Sequence, residues 1–191
     1  MKKAVIISFV IVVLFGIFLE FMPKKVTDQY QVPRGGEFTL VGHDGPFSLS
    51  SVKSKYAIVY FGYTFCPDIC PTTLNNLSHA LNKLTPEEKK QFTVIFISVD
   101  PQRDTQARLK TYVEFFGKNI VALTGTEKKL KEIADQYGVK YERHIPEDGG
   151  DDYSVDHSTE AFLVNKKGEV LELIPHGMIQ KNLIDLFKRN L

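Results

Sequence analysis

The sequence predicts an α/β domain whose central strands are parallel. Hydrophobic runs rich in β-branched and aromatic residues, which are typical of buried strands, lie at 56–61 and 92–99. Each run is followed by an amphipathic stretch at helical spacing, at about 67–84 and 104–116. Strands that alternate with helices in this way favour βαβ units, and such units place their strands in parallel.

Further elements surround these two units. Short strands at 37–41 and 46–49 flank a turn that contains Asp-Gly, so they predict a β-hairpin near the N-terminus. The pattern Thr-Pro-Glu-Glu at 85–88 indicates the start of a short helix. The other predicted elements are a strand at 119–123, a helix at 127–137, a hairpin of strands at 160–164 and 169–174, and a last helix at about 179–189.

The stretch at 139–158 stands apart from this alternation. It is acidic, contains two adjacent glycines and has no clean hydrophobic periodicity. It therefore predicts a long inserted loop, and loops of this length in compact domains tend to be functional or disordered.

Length, net charge and cysteine content limit the classes of function that the sequence supports. The chain has 191 residues and a formal net charge of +1, so its overall charge gives no reason to expect nucleic acid as a partner. We expect one domain of ordinary size at 32–191, preceded by a polar linker at 23–31. The two cysteines lie four residues apart, which favours specialised chemistry over a disulfide framework.

The N-terminus predicts a membrane anchor at 1–22. Two lysines precede an uninterrupted apolar run at 4–19, and no small-x-small cleavage site follows it. An uncleaved anchor is therefore favoured over a cleaved secretory signal. The two leading lysines place the N-terminus in the cytoplasm and the domain on the extracytoplasmic side, although Lys24 and Lys25 weigh against that orientation.

Cys66 and Cys70 lie where the strand at 56–61 passes into a helix N-terminus. Unpaired backbone N–H groups and the helix dipole favour anions there, so we expect both thiols to have a pKa below the ordinary value of about 8.5. Neighbouring thiolates repel each other, and a soft cation or a disulfide would relieve that repulsion. The plainest alternatives are a simple stabilising disulfide and two buried thiols that are close by chance. A disulfide that closes so short a loop adds little stability.

His157 is the best candidate for a third ligand. It comes shortly before a predicted core strand, whereas His144 lies within the predicted loop and His79 lies about 13 Å along the helix from Cys70. Two thiolates and one imidazole would suit copper, or zinc with a fourth ligand. A lone histidine is more often structural than a ligand, so spacing alone leaves this assignment a hypothesis.

Three motifs, in this order, resemble the Sco/SenC family of copper-handling, thioredoxin-like proteins. They are GYTFCPDICP at 62–71, SVDPQRDT at 98–105 and VDHS at 155–158. The resemblance runs from about Val32 to the C-terminus. It implies a thioredoxin-like fold, with a central mixed sheet flanked by helices, an extra N-terminal β-hairpin and a long inserted loop. The predicted N-terminal transmembrane helix also fits the family.

The resemblance further implies a site and a function. Copper, as Cu(I) or Cu(II), would be bound by Cys66, Cys70 and His157 and delivered to the dinuclear copper centre of cytochrome c oxidase subunit II. A disulfide between the two cysteines would remove both sulfur ligands, so the redox state would control affinity, and a thiol-disulfide reductant would be a further partner. By their charge and position, Asp100 and Asp156 are candidates to hold these ligands in place without contacting the metal themselves.

Other functions stay open. A thiol-disulfide oxidoreductase that reduces the cysteines of the target would use the same pair and would not need His157. A peroxidase is disfavoured because its pattern Pro-x-x-x-Thr-x-x-Cys is absent. That pattern places the threonine three residues before the cysteine, whereas Thr64 is two residues before Cys66. The sequence does not separate copper transfer from a copper or redox sensor.

Overall fold

The computed structural model describes residues 33–146, 152–179 and 183–191. The predicted anchor at 1–22 and linker at 23–31 lie outside these residues. Within the described part of the chain, no helix is long and apolar enough to cross a membrane. In chain order the strands are β1 Thr39–Gly42, β2 Gly45–Ser48, β3 Tyr56–Gly62, β4 Phe92–Ser98, β5 Ile120–Thr124, β6 Tyr141–His144, β7 Ser154–His157, β8 Ala161–Asn165 and β9 Val170–Ile174. The α-helices are α1 Ile69–Asn82, α2 Pro86–Lys89, α3 Gln106–Glu114, α4 Glu127–Gln136, α5 His176–Ile179 and α6 Leu183–Asn190, and a 3-10 turn spans Leu49–Ser51.

Seven of these strands form one mixed sheet in the order β2-β1-β5-β4-β3-β8-β9. The pairs β3·β4 and β4·β5 are parallel and the outer pairs are antiparallel, so the predicted parallel centre and the predicted N-terminal hairpin are confirmed. The central strands are buried along almost their whole length, as the unbroken hydrophobic runs require. Helices α1, α3 and α4 contribute their apolar residues to the same hydrophobic core.

This topology brings three separate parts of the chain to one edge of the sheet. Strands β3 and β4 run parallel with Gly62 opposite Ser98, so the segments that follow them leave from the same edge. Strand β8 runs antiparallel to β3 with Ala161 opposite Tyr60, so β8 begins at that edge. The segment before β8 carries His157. The three motifs of the sequence therefore meet, although they are distant along the chain.

Two helices begin later than the sequence predicts. Helix α1 starts at Ile69 rather than at 67, because Asp68 has φ −140° and ψ −65°, outside the helical region. Helix α3 starts at Gln106 rather than at 104, where the Thr105 hydroxyl caps it by accepting from the Arg108 N–H at 3.3 Å. In both cases the residues just before the helix belong to the edge where the motifs meet.

The predicted long loop at 139–158 is wrong in part, because it contains two strands. Strands β6 and β7 pair antiparallel, with Tyr141 opposite His157, and form a separate two-stranded sheet. Of their eight residues only Val155 is buried, so the hydrophobic alternation that identifies a strand is absent. His157 is thus held at the end of a strand rather than on an open loop.

Gly62 is the last residue of β3, which extends one residue beyond the predicted strand at 56–61. A Cβ atom at this position would lie 2.6 Å from the Cys70 sulfur and 2.8 Å from the Phe96 ring. Both distances are below any normal contact. Glycine is therefore required because α1 carries Cys70 directly against β3.

We predict that Gly62→Ala destabilises the reduced, metal-free chain by about 1–3 kcal/mol, because the added methyl must displace the Cys70 side chain or the Phe96 ring. Gly177→Ala is the matched control, since a Cβ there meets nothing within 4 Å and alanine favours a helix, so this variant should not be destabilised. Urea unfolding measures both. Equal stability of the two variants would show that the close approach at Gly62 is not a constraint.

Candidate metal centre

The sulfur atoms of Cys66 and Cys70 and a ring nitrogen of His157 lie within 4.8 Å of one another. Cys66 is in the turn that precedes α1, Cys70 is in the first turn of α1, and His157 ends β7. Both cysteines are free thiols in this structure. No other group of three His, Cys, Asp or Glu ligand atoms comes together in the described part of the chain. The structure therefore brings together the three side chains that the sequence singled out.

The imidazole of His157 has a defined orientation. Its Nδ1 lies 2.8 Å from the carbonyl oxygen of Ser158, and a carbonyl only accepts, so Nδ1 carries the proton. In the neutral ring Nε2 then holds a free lone pair, and this atom lies 3.3 Å from the Cys70 sulfur. The rings of Tyr60 and Tyr63 pack edge-on against the imidazole at 6.3 and 5.9 Å between centroids. The nitrogen able to bind a metal thus faces the two sulfurs.

Cys70 is the inner member of the pair. It is 0% exposed, and the Tyr60 hydroxyl donates to its sulfur at 3.6 Å. The pKa of Cys70 is raised because its thiol donates a hydrogen bond to the Cys66 sulfur, because it is buried, and because Cys66 carries negative charge. The expectation that both thiols would have a lowered pKa is therefore wrong for Cys70.

Cys66 is the outer member and the thiolate. Its pKa is lowered to about 3, chiefly because the Cys70 thiol donates to it. The backbone N–H of Cys70 also points at the Cys66 sulfur, at 3.4 Å, so the predicted effect of the helix N-terminus is present here. Because Cys66 is half-buried and Cys70 is fully buried, the pair offers one accessible thiolate that accepts a hydrogen bond from one protonated thiol.

A buried carboxylate holds the turn that carries Cys66. Asp104 is 0% exposed and accepts from the Thr64 N–H at 2.9 Å, the Thr64 hydroxyl at 2.5 Å and the Ser98 hydroxyl at 2.6 Å. Burial raises the pKa of this carboxyl group. Sequence reasoning missed this role and assigned Asp104 to the start of a helix. Its place in the second motif, six residues after a strand end, was the available signal.

The two aspartates predicted to support the ligands lie further away. Asp100 is buried and accepts from Arg103 Nε and from the Tyr153 hydroxyl, each at 2.6 Å. It thereby links the second motif to the segment that enters β7. Asp156 precedes His157 in β7, so the two side chains point to opposite faces of the strand. Asp156 is exposed, and its carboxylate lies 2.8 Å from His144 Nε2. Among the described side chains, neither carboxylate bonds to one of the three candidate ligands.

The remaining histidines lie elsewhere. His176 contacts the Thr73 hydroxyl through Nδ1 at 3.1 Å, and His79 is exposed on α1. His43 is exposed at the turn between β1 and β2. Sequence reasoning also missed the roles of Tyr60, which it placed only in a strand, and of Tyr63, which it placed only in the first motif. The rings of both residues pack against the imidazole.

Comparison with known proteins gives consistent matches. A family model described as SCO1/SenC matches residues 26–191, which include all three motifs. An SCO2-like protein of Rickettsia felis is 34% identical over 157 residues, covering 82% of this chain and 76% of the relative. Arabidopsis thaliana ScoI, solved with copper bound, is 34% identical with a TM-score of 0.73, covering 82% of this chain and 99% of that structure. BsSco, described as a Sco family cytochrome c oxidase assembly protein with a disulfide switch, is 25% identical with a TM-score of 0.58, covering 83% and 95%.

We predict that iodoacetamide alkylates Cys66 in the reduced, metal-free chain at a rate that stays nearly constant from about pH 5 to pH 8. The lowered pKa of Cys66 keeps it a thiolate over this whole interval, whereas an ordinary thiol would slow several hundredfold, roughly, on the acid side. Peptide mass mapping identifies the modified cysteine, and the urea-unfolded chain is the control. Preferential labelling of Cys70, or the same pH dependence in both states, would contradict the assignment.

Proposed function

This chain belongs to the SCO1/SenC family, as its motifs predict, and from that premise we propose that it binds copper through Cys66, Cys70 and His157 and takes part in cytochrome c oxidase assembly. The observation that carries the proposal is the convergence of three soft or borderline donor atoms within 4.8 Å. The copper bound to the similar ScoI of Arabidopsis thaliana supports copper as the ion. The description of BsSco supports the assembly role.

The donor set fits a single ion of this kind. Taking zinc as the measure, bonds from thiolate sulfur and imidazole nitrogen are about 2.0–2.3 Å long, so two donors to one ion lie at most about 4.6 Å apart. The observed limit of 4.8 Å is within a few tenths of an ångström of that span. Thiolate sulfur favours Cu(I), imidazole suits copper in either oxidation state, and three donors leave room for an incoming ligand.

The protonation states assign an order to the three donors. Cys66 is already a thiolate, and the neutral His157 ring presents its Nε2 lone pair, so both can bind a metal without releasing a proton. Cys70 holds a proton and must release it to become the third ligand. Copper binding near neutral pH should therefore release about one proton per ion. The tyrosine hydroxyl at the Cys70 sulfur remains a hydrogen-bond donor, because burial raises the pKa of Tyr60.

We propose that the redox state of the pair controls copper binding. Formation of a Cys66–Cys70 disulfide removes two electrons from the pair and releases the one proton held by the Cys70 thiol. An oxidant such as another disulfide accepts the two electrons and is reduced to two thiols, taking its second proton from the solvent. Both sulfur ligands are then lost in one step and only His157 remains. The disulfide switch described for BsSco supports this step.

The recipient that we propose is the dinuclear copper centre of cytochrome c oxidase subunit II. The predicted anchor at 1–22 would hold the domain at the membrane, with the N-terminus in the cytoplasm and the domain on the extracytoplasmic side. Its support is the apolar run at 4–19 behind two lysines. That side of the membrane is also where a disulfide persists.

A second function has support from a different observation. The half-buried thiolate of Cys66 and the buried thiol of Cys70 would serve as the nucleophile and the resolving thiol of a thiol-disulfide oxidoreductase. Such a protein would reduce the cysteines of the same target and would itself be reduced by a thiol-disulfide reductant. This chemistry has no need of His157, which separates it from copper binding. A copper sensor would use the same three residues and a redox sensor only the cysteine pair, and neither would transfer copper.

We predict that the reduced full-length chain binds one copper ion and shows sulfur-to-copper charge-transfer absorption. The disulfide form should bind copper about a hundredfold more weakly, because both sulfur ligands are lost. His157→Ala should weaken binding of the reduced form by about a hundredfold or more, since it removes a direct ligand. His79→Ala, an exposed histidine on α1, is the matched control and should leave affinity unchanged.

Copper titration of both redox forms, with pH-stat detection of proton release, measures these effects. If cytochrome c oxidase assembly survives His157→Ala but is lost in Cys66→Ser, thiol-disulfide chemistry is the function. If the reduced chain takes up no copper, the copper-binding proposal is wrong.

A further inference from the structure

An exposed aromatic side chain stands next to the accessible sulfur. Phe65 is 44% exposed, whereas its neighbour Thr64 is buried and Cys66 is half-buried. Because Cys70 is 0% exposed, a protein that exchanges copper or electrons with the pair must approach through Cys66. Such a protein also covers the ring of Phe65. The ring is therefore part of any surface on which that exchange takes place.

Two guanidinium groups hold this ring in place. The Cζ atom of Arg108 lies 3.9 Å from the centroid of the Phe65 ring, and that of Arg103 lies 4.5 Å from it. Both separations are within the range of a cation–π contact. Arg108 is itself anchored, because its Nε donates to the Thr64 hydroxyl at 2.6 Å. A rigid aromatic group loses little conformational entropy on binding, and such groups are enriched among residues that dominate interfaces.

The exposed charge beside the ring is positive. The Arg108 side chain is 46% exposed, and the structure gives its two terminal nitrogens no hydrogen-bond partner among the described residues. The nearest carboxylate, Asp104, lies 4.0 Å from Nε but is 0% exposed and accepts from Thr64 and Ser98. An approaching protein therefore meets the guanidinium edge. A carboxylate on that protein can accept both terminal N–H groups in the paired geometry that arginine favours.

We propose that Phe65 and Arg108 form the docking surface for the protein that receives copper from the site at Cys66. The partner presents an apolar pocket for the Phe65 ring and a carboxylate for Arg108, both beside its own sulfur ligand. This inference rests on the proposed function and adds the chemistry by which the partner is recognised. Docking there places the partner's sulfur next to the one accessible sulfur of the site.

The test is the rate of copper transfer from the loaded full-length chain to the soluble copper domain of cytochrome c oxidase subunit II, followed by absorption at several salt concentrations. Phe65→Ala and Arg108→Glu should each slow transfer at least tenfold, while copper affinity stays within twofold because neither side chain is a ligand. The unsubstituted chain should slow as salt rises, and Arg108→Glu should remove that dependence. Arg108→Lys, which keeps the charge, should restore part of it.

Matched controls lie on the same helix and just after it. Phe115→Ala changes a phenylalanine that is 87% exposed, and Lys110→Glu reverses an exposed charge on α3, so both should transfer at the original rate. Unchanged transfer in Phe65→Ala and Arg108→Glu would overturn the docking surface while leaving copper binding and delivery intact. Absence of transfer from the unsubstituted chain would instead contradict the proposed function. A dimer of this chain that Phe65→Ala abolishes would assign the surface to a second copy and overturn the proposal.

Discussion

The parallel pairing of β3 with β4 is the constraint on which the site depends. It sets Gly62 opposite Ser98, so the turn with Cys66 and the segment with Asp104 leave the sheet side by side. Asp104 then reaches across to bind the backbone and hydroxyl of Thr64. The same register requires glycine at the end of β3, because Cys70 packs against that position. A slip of one residue would reverse the faces of the strand and disperse the three donors.

The pair of thiols works through one shared proton. Two thiolates this close would repel each other, whereas one thiolate that accepts from one thiol is a stable arrangement. Burial keeps the proton on Cys70, and partial exposure together with the helix N-terminus favours the charge on Cys66. The exposed sulfur is thus the reactive one, and the buried sulfur completes the site only when a metal or an oxidant removes its proton. His157 joins from β7 with its tautomer set by the Ser158 carbonyl.

Much of this arrangement was accessible from the sequence, and the failures have physical causes. The runs at β3 and β4 predict buried strands because burial on both faces demands unbroken apolar residues. The strands β6 and β7 were missed because they lie outside the main sheet and alternate without an apolar face. The motifs identified the three candidate ligands through family resemblance, whereas spacing alone left His157 a hypothesis. The difference in pKa between Cys66 and Cys70 depends on burial, and the role of Asp104 depends on contacts between distant segments. Neither can be predicted from the neighbouring residues in the sequence.

The most direct test of the central claim is X-ray absorption spectroscopy at the copper edge, on the reduced full-length chain loaded with one copper. The account predicts a first shell of two sulfur atoms and one imidazole nitrogen, with the imidazole signal lost in His157→Ala and both sulfur scatterers lost after oxidation of the cysteine pair. A shell of oxygen and nitrogen atoms alone, or a spectrum that His157→Ala leaves unchanged, would contradict it.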